Sequence, residues 1–167
     1  NLERGLTYFA DHLASLPSPL ALPTECARGK RHPIAGARER LRIEGDLAIR
    51  LKQRAAEIHG KPFLILLANW ALLLARASLI DRIALGVPFS NRRQPQWADT
   101  AGCFVTNLPM VVDIGQHTFD QIVAQVRGHM LGHHRHQETP LSAIVSRCKV
   151  PREPSRNPIF QAGFTFE

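Results

Sequence analysis

The fold class predicted for this sequence is an α/β (α+β) sandwich, a mixed β-sheet with helices packed on it, and three observations carry it. Segments with apolar residues at helical spacing are interleaved with short apolar runs bounded by turn residues, which is the order of a helix-on-sheet architecture. One helical segment, "FLILLANWALLLA", is apolar nearly all round and so belongs between other elements. The final residues, "IFQAGFTFE", alternate apolar and polar as a strand does.

Taken in order, Leu2, Leu6, Phe9, Leu13 and Leu16 recur at helical spacing and predict a first helix. It must stop before "PSPLALP", where prolines remove donors and fix the backbone, and an extended connector runs on to about residue 37. "RERLRI" alternates, which predicts a short strand with Leu41 and Ile43 on one side. Gly45 and Asp46 offer a cap for a helix whose Leu47, Leu51, Ala55 and Ile58 share a face, and Gly60 closes it. Pro62 suits the first position of the apolar helix that follows. "RIALGVPF" reads as a strand covered on both faces, and "FVTNLPMVV" as a second strand after a polar loop. Thr118 and Gln121 form a T-x-x-Q capping box opening a helix that buries Phe119, Ile122, Val126 and Met130. In the tail, Phe160, Ala162, Phe164 and Phe166 face one way, and Gln161, Gly163, Thr165 and Glu167 the other. A terminal apolar strand needs a neighbour for its backbone groups, so a longer parent chain is expected.

A length of 167 residues, 44% hydrophobic and 21% charged, is that of one globular domain or lobe. The 21 Lys and Arg against 14 Asp and Glu give a net charge of +7, which suits an anionic partner. The tight basic groups are "RGKR" at 28–31 and "NRR" at 91–93, and neither has the interleaved aromatics of a single-strand binder, so no nucleic-acid partner is expected. Cys26, Cys103 and Cys148 are odd in number, widely spaced and without a C-x-x-C pair, which points away from a disulfide framework or zinc ribbon and toward a reducing cytoplasm. The apolar run 62–77 is shorter than the ~20 residues that cross a bilayer, and no membrane association is expected. The amphipathic amino terminus, with Glu3, Arg4 and Asp11, is unlike a signal peptide.

The stretch "GHHRHQETPLSAIV", 132–145, raises the possibility of a metal or catalytic centre. Adjacent side chains on a helix point about 100° apart, so His133, His134 and His136 do not converge on one metal, and no metal site is expected. The plainer reading is a solvated helix end where histidines favour the carboxyl-terminal dipole.

Four motifs in order, "DRIALGVPFSNRR", "AGCFVTNLPMVV", "HQETPLSAIV" and "PSRNPIFQAGFTF", resemble the carboxyl-terminal half of a nonribosomal peptide synthetase condensation domain. The family pattern runs G-x-P-x-x-x-R, G-x-F-V-N-T-L-P, H-Q-D-x-P-F-E-x-L-V and S-R-N-P-L-F-Q. "LTYFADHLASLPSPLALP" is similar to the segment joining that family's two lobes, so the resemblance covers nearly the whole chain.

The resemblance implies a chloramphenicol-acetyltransferase-like lobe. Residues 1–37 would be the inter-lobe helix and connector, and 38–167 an incomplete carboxyl-terminal lobe. It implies an acyltransferase that joins a carrier-tethered aminoacyl or peptidyl thioester to an aminoacyl acceptor through an amide bond. Epimerisation, heterocyclisation or ester-forming relatives, or a non-catalytic carrier-docking scaffold, are the alternatives. No directly bound cofactor is implied. Phosphopantetheine is presented by the carriers, and the partners are carrier proteins, the amino-terminal lobe and neighbouring synthetase domains.

The family's catalytic H-H-x-x-x-D-G motif belongs to the amino-terminal lobe. "HHRHQET" nearly copies it, but its place between "FVTNLP" and "SRNPIF" matches His136, Gln137 and Glu138 to the later H-Q-D motif. No catalytic residue is therefore assigned within this chain, and the stretch alone is expected to be inactive. Phe104, Thr106, Asn107 and Trp97 are the substrate-channel candidates. The family's N-T appears here as Thr106-Asn107, so either Thr106 supplies a hydroxyl to the channel or a bulge restores Asn107 to it. Gly102, His136, Gln137, Pro140, Ser155, Arg156, Asn157 and Pro158 occupy structural motif positions, with a buried Arg156 guanidinium expected to hold nearby carbonyls and carboxylates. Arg38, Arg40, Arg92 and Arg93 are candidate contacts to acidic carriers.

Overall fold

The computed structural model describes residues 1–17, 19–24, 36–58, 60–92 and 94–166. Cys26, the 28–31 basic group and Arg93 lie outside them. Helix α1 (Leu2–His12) precedes the connector, followed by α2 (Gly45–Glu57), α3 (Pro62–Ala77), β1 (Arg82–Phe89), a 3₁₀ turn (Pro95–Trp97), β2 (Thr106–Asp113), α4 (Phe119–Arg135), α5 (Leu141–Arg147) and β3 (Ala162–Gly163). The sheet is mixed, in the order β2-β1-β3, with β1 antiparallel to β2 and parallel to β3.

β1 lies in the middle because every residue from Ile83 to Val87 is buried, as its unbroken apolar run predicts. The β1–β2 register runs without interruption from Arg82↔Asp113 to Phe89↔Thr106. Paired residues share a face, so Phe89, Val87, Leu85 and Ile83 lie with Thr106, Leu108, Met110 and Val112. Asn107, Pro109, Val111 and Asp113 occupy the opposite face, where Arg82 and Asp113 form a cross-strand ion pair at 2.8 Å. Gly86 is required by close approach: a Cβ there would stand 2.3 Å from Cε2 of Phe160. The Phe164 N–H donates to the Gly86 carbonyl at 3.0 Å, and the Trp70 indole donates to the Gly163 carbonyl at 3.1 Å.

One core joins the helices to the sheet, with Phe9, Leu67, Leu85, Met110, Val126 and Ile144 fully buried. Burying such a side chain stabilises by about 1.5–3 kcal/mol. α3 packs against α2, α4 and β1, while α5 packs against α1 and β2. The Thr118 capping box forms in both directions, the Gln121 N–H donating to the Thr118 hydroxyl and the Thr118 N–H to the Gln121 side chain. Pro62 opens α3 as expected, and the Gly60 N–H donates to the Ala55 carbonyl to close α2.

Several expectations are corrected. Residues 38–43 form no strand: Leu41 is 91% exposed, because alternation yields a strand only where an edge supplies hydrogen bonds, and this segment pairs with none among the described residues. The cap of α2 is Glu44, and Leu47 on its expected buried face is exposed. α3 leaves Leu73 exposed despite being apolar all round. β2 begins at Thr106, after Phe104 and Val105, and the alternating tail pairs over only Ala162–Gly163. Phe164 and Phe166 nevertheless share a face, both packed on Phe63 at 5.6 and 6.0 Å, while Glu167 lies outside the described residues.

Candidate functional site

β2 is the outer strand of the described sheet, and its outward backbone groups are met by side chains from α1 and α4. Pro109 supplies no N–H, which suits an edge, and its carbonyl lies 2.8 Å from Nε2 of His133. The Val111 N–H donates to Nε2 of His12 at 2.9 Å. The Asp113 N–H donates to the Gln125 side-chain oxygen at 2.7 Å. These contacts cover the kind of edge that would otherwise pair with another chain.

The expected solvated helix end is thereby corrected for His133, which is fully buried, while His134 is exposed. A carbonyl only accepts, so Nε2 of His133 carries the proton and donates to Pro109. Its Nδ1 then accepts from the Tyr8 hydroxyl at 2.9 Å. By the same logic His12, accepting at Nε2, carries its proton on Nδ1. Burial pushes His12 down to about 3, with further lowering by the neighbouring His133 and His129. Burial likewise pushes His133 down to about 4 against the opposing hydrogen bond to Pro109. Ring packing continues the cluster: His12 to His129 at 4.5 Å, and Tyr8 stacked on His136 at 4.6 Å. A neutral, enclosed imidazole with both nitrogens engaged is a structural element, unlike a base facing substrate. Among the described residues no group of three His, Cys, Asp or Glu is placed to hold a metal ion.

The motif positions meet through specific contacts. Gln137, 2% exposed, accepts from the Asn91 N–H at 3.0 Å and donates to the His134 carbonyl at 2.9 Å, tying the loop after β1 to the end of α4. Pro140 is the N-cap of α5. Arg92 turns inward: its guanidinium donates to the carbonyls of Trp97, Thr100 (2.9 Å) and Gly102 (3.1 Å) and lies 4.4 Å from the Phe104 ring centre. Phe104 stacks on Trp97 at 6.1 Å, so Trp97 packs within its own loop. Gly102, at φ +143°, uses backbone freedom that side chains rarely allow.

Thr106 and Asn107 point to opposite faces, and the unbroken register leaves no bulge within β2 to restore Asn107. Thr106 shares the Phe89 face and is half-buried; Asn107 is exposed. In the 155–158 motif, the Asn157 side chain accepts from the Ile159 N–H at 3.3 Å, while Ser155 and Pro158 are half-buried. Arg156 is half-buried, and among the described residues its guanidinium pairs with Glu153 at 3.5 Å rather than with the expected web of carbonyls. Arg38 and Arg40 are exposed.

Sequence reasoning overlooked Tyr8, His12, Gln125 and Gln161. Gln161 accepts from the Leu20 N–H at 2.6 Å and donates to the Asn157 carbonyl at 2.8 Å. Gln161 is 141 positions from Leu20 and His12 is 99 positions from Val111, so no local pattern marks these pairings.

The family model of the condensation domain matches residues 1–167. The chain belongs to the condensation-domain family. The four motifs and the inter-lobe segment that resemble this family are thus parts of one whole-chain match. Its relatives are synthetases. The chain is 30% identical over 163 residues to phosphinothricin tripeptide synthetase PhsC of Streptomyces viridochromogenes, covering 97% of this chain and 15% of that protein. It is 29% identical over 167 residues to malpibaldin synthetase of Mortierella alpina, covering 99% and 3%, and 29% identical over 161 residues to tyrocidine synthase 2 of Brevibacillus parabrevis, covering 96% and 4%. The chain therefore spans a small part of each relative.

The fold agrees. A four-domain nonribosomal peptide synthetase bound to AMP and glycine superposes with a TM-score of 0.92 at 22% identity, covering 96% of this chain and 12% of that one. The X-domain from teicoplanin biosynthesis superposes with a TM-score of 0.89 at 22% identity, covering 97% and 36%. This condensation-domain chain thus has the chloramphenicol-acetyltransferase-like architecture, with helices on a mixed sheet.

Proposed function

We propose that these residues are the carboxyl-terminal lobe of a condensation domain that joins two carrier-tethered substrates through an amide bond. The supporting observation is convergence: motifs far apart in sequence meet at Gln137–Asn91, Arg92–Phe104 and Gly86–Phe160. In the reaction, the acceptor amine attacks the donor thioester carbonyl, a C–N bond forms, the C–S bond breaks, and the donor carrier's pantetheine thiol leaves. Tethering both substrates supplies proximity. This lobe contributes a wall carrying Thr106, and the imidazole that handles the amine proton belongs to the amino-terminal lobe. His133 is unsuited to that role because Tyr8 and Pro109 occupy its two nitrogens. The working partners are loaded carriers and adjoining synthetase domains, in the cytoplasm.

A second reading, a carrier-docking scaffold that kept the fold without the chemistry, is favoured by the Thr106-Asn107 exchange on an unbroken register. One experiment separates them. A matched amino-terminal lobe and two loaded carriers are supplied, and amide product is sought by mass spectrometry. Product that depends on this chain supports the lobe reading. Carrier binding without product supports the scaffold, and turnover by this chain alone would overturn both.

A further inference from the structure

The chain that leaves β1 turns at Asn91, whose backbone sits at φ +53°, in the left-handed region that asparagine tolerates better than most side chains. The Asn91 side-chain oxygen is buried and meets no donor among the described residues, so that oxygen does nothing to hold the turn. The turn is held from outside, by the bond from the Asn91 N–H to the Gln137 side-chain oxygen at 3.0 Å.

Gln137 is firmly mounted. It is 2% exposed, its amide nitrogen donates to the His134 carbonyl at 2.9 Å, and it stands in the turn joining α4 to α5, where the Thr139 N–H donates to the His136 carbonyl at 3.1 Å. Thr139 lies so close to α1 that a Cβ at Gly5 would stand 2.0 Å from its Oγ1. Three helices therefore bear on the place of this one side chain.

The consequence reaches the wall that carries Thr106. Phe89 and Thr106 are the last pair of the β1–β2 register, and Asn91 follows Phe89 by two positions. Arg92, next in the chain, reaches across to the Thr100 and Gly102 carbonyls and lies over the ring of Phe104, two positions before Thr106. The Arg92 contacts fix the shape of the loop between the strands, and the Gln137 bond fixes where that loop stands against α4.

We propose that Gln137 is a positioning residue for amide formation: through Asn91 and Arg92 it holds the Phe104–Thr106 wall where the tethered substrates meet. This rests on the function proposed above. A misplacement of about 1 Å far from the chemistry can cost about a hundredfold in rate, so the effect belongs in kcat.

Variants of the intact parent test this, with turnover expressed per folded molecule from urea curves. Gln137→Met removes both side-chain hydrogen bonds while keeping the side chain long; Gln137→Asn keeps the amide but falls one carbon short, and is read the same way should the first not fold. Either is expected to lower kcat by about tenfold or more, to leave the carrier KM within about twofold, and to let the Asn91 amide exchange rapidly with deuterium. Gln137→Glu keeps an acceptor for the Asn91 N–H but sets an oxygen against the His134 carbonyl. It is expected to lower the urea midpoint yet recover kcat to within about threefold of wild type, with the Asn91 amide protected. Thr118→Ala, which weakens the far end of α4, is expected to lower stability alone. Wild-type kcat in Gln137→Met or Gln137→Asn would overturn the proposal, as would an Asn91 amide that stays protected in them. So would a slow Gln137→Glu with that amide protected, or an equal loss of kcat in Thr118→Ala. A wild-type parent that forms no amide sinks the catalytic reading and this inference with it, whereas an active parent with unimpaired Gln137 variants sinks this inference alone.

Discussion

His133 is held by two hydrogen bonds that a single neutral tautomer satisfies, and it packs against Phe9 and Phe89 at ring-centre distances of 5.1 and 6.0 Å. Replacing it with Phe keeps a ring in the core but strands the Tyr8 hydroxyl and the Pro109 carbonyl. The expected cost is about 2–3 kcal/mol, read as a lower urea midpoint at pH 7.5; an unchanged midpoint would mean those groups find other partners. Arg92 is the other residue whose role comes from geometry. Its planar fork spans carbonyls of the 97–102 loop, and an ammonium has no such fork. Arg92→Lys should therefore speed proteolytic cleavage within 94–103 and alter Trp97 emission, although the charge is kept. A residue serving only as a charged carrier contact would tolerate that change.

Among the elements, α4 is fixed by its ends. Thr118→Ala removes half of the capping box and should cost about 1 kcal/mol in thermal or urea unfolding. α3 ends less favourably: Leu79, just past its last turn, sits at φ +53° and is 93% exposed. An apolar side chain there strains the backbone and buries nothing. Leu79→Gly is expected to stabilise by about 1 kcal/mol, and a lower melting temperature would refute the strain. The strands show where local pattern suffices. The continuous apolar run of β1 specifies a central strand, whereas the alternation at 38–43 satisfies the pattern rule without any edge to join.

For the molecule as a whole, the neutral imidazoles couple stability to acidity. His12 and His133 titrate at about 3 and 4 when folded, and His129 is also lowered by burial, against about 6.5 for a free histidine. In that interval the unfolded chain binds more protons than the folded one, so stability is full above the unfolded value and falls as pH drops from about 6.5 toward 4. His12 and His133 each contribute a slope of about 1.4 kcal/mol per pH unit once the unfolded form is protonated. Melting temperatures at pH 7.5, 6 and 5 should fall steadily, and less steeply for His12→Gln. A profile flat to pH 5 would contradict the buried neutral cluster. Protonating His12 at Nε2 would also set an N–H against the Val111 N–H, so acid should expose the β2 edge and promote association, which light scattering would detect.

Periodicity and turn chemistry alone determined α1, α2, α3, β1, the Thr118 box and the paired facing of the tail, because each depends on residues a few positions apart. Motif order similarly determined the family. Tertiary structure alone decided that His133 is sealed, that Arg92 points inward, that Thr106 and Asn107 lie on opposite faces without a bulge, and that β2 is covered by His12 and Gln125. Those outcomes depend on which distant backbone group lies within hydrogen-bonding reach of a side chain, a relation set by packing and invisible to local spacing.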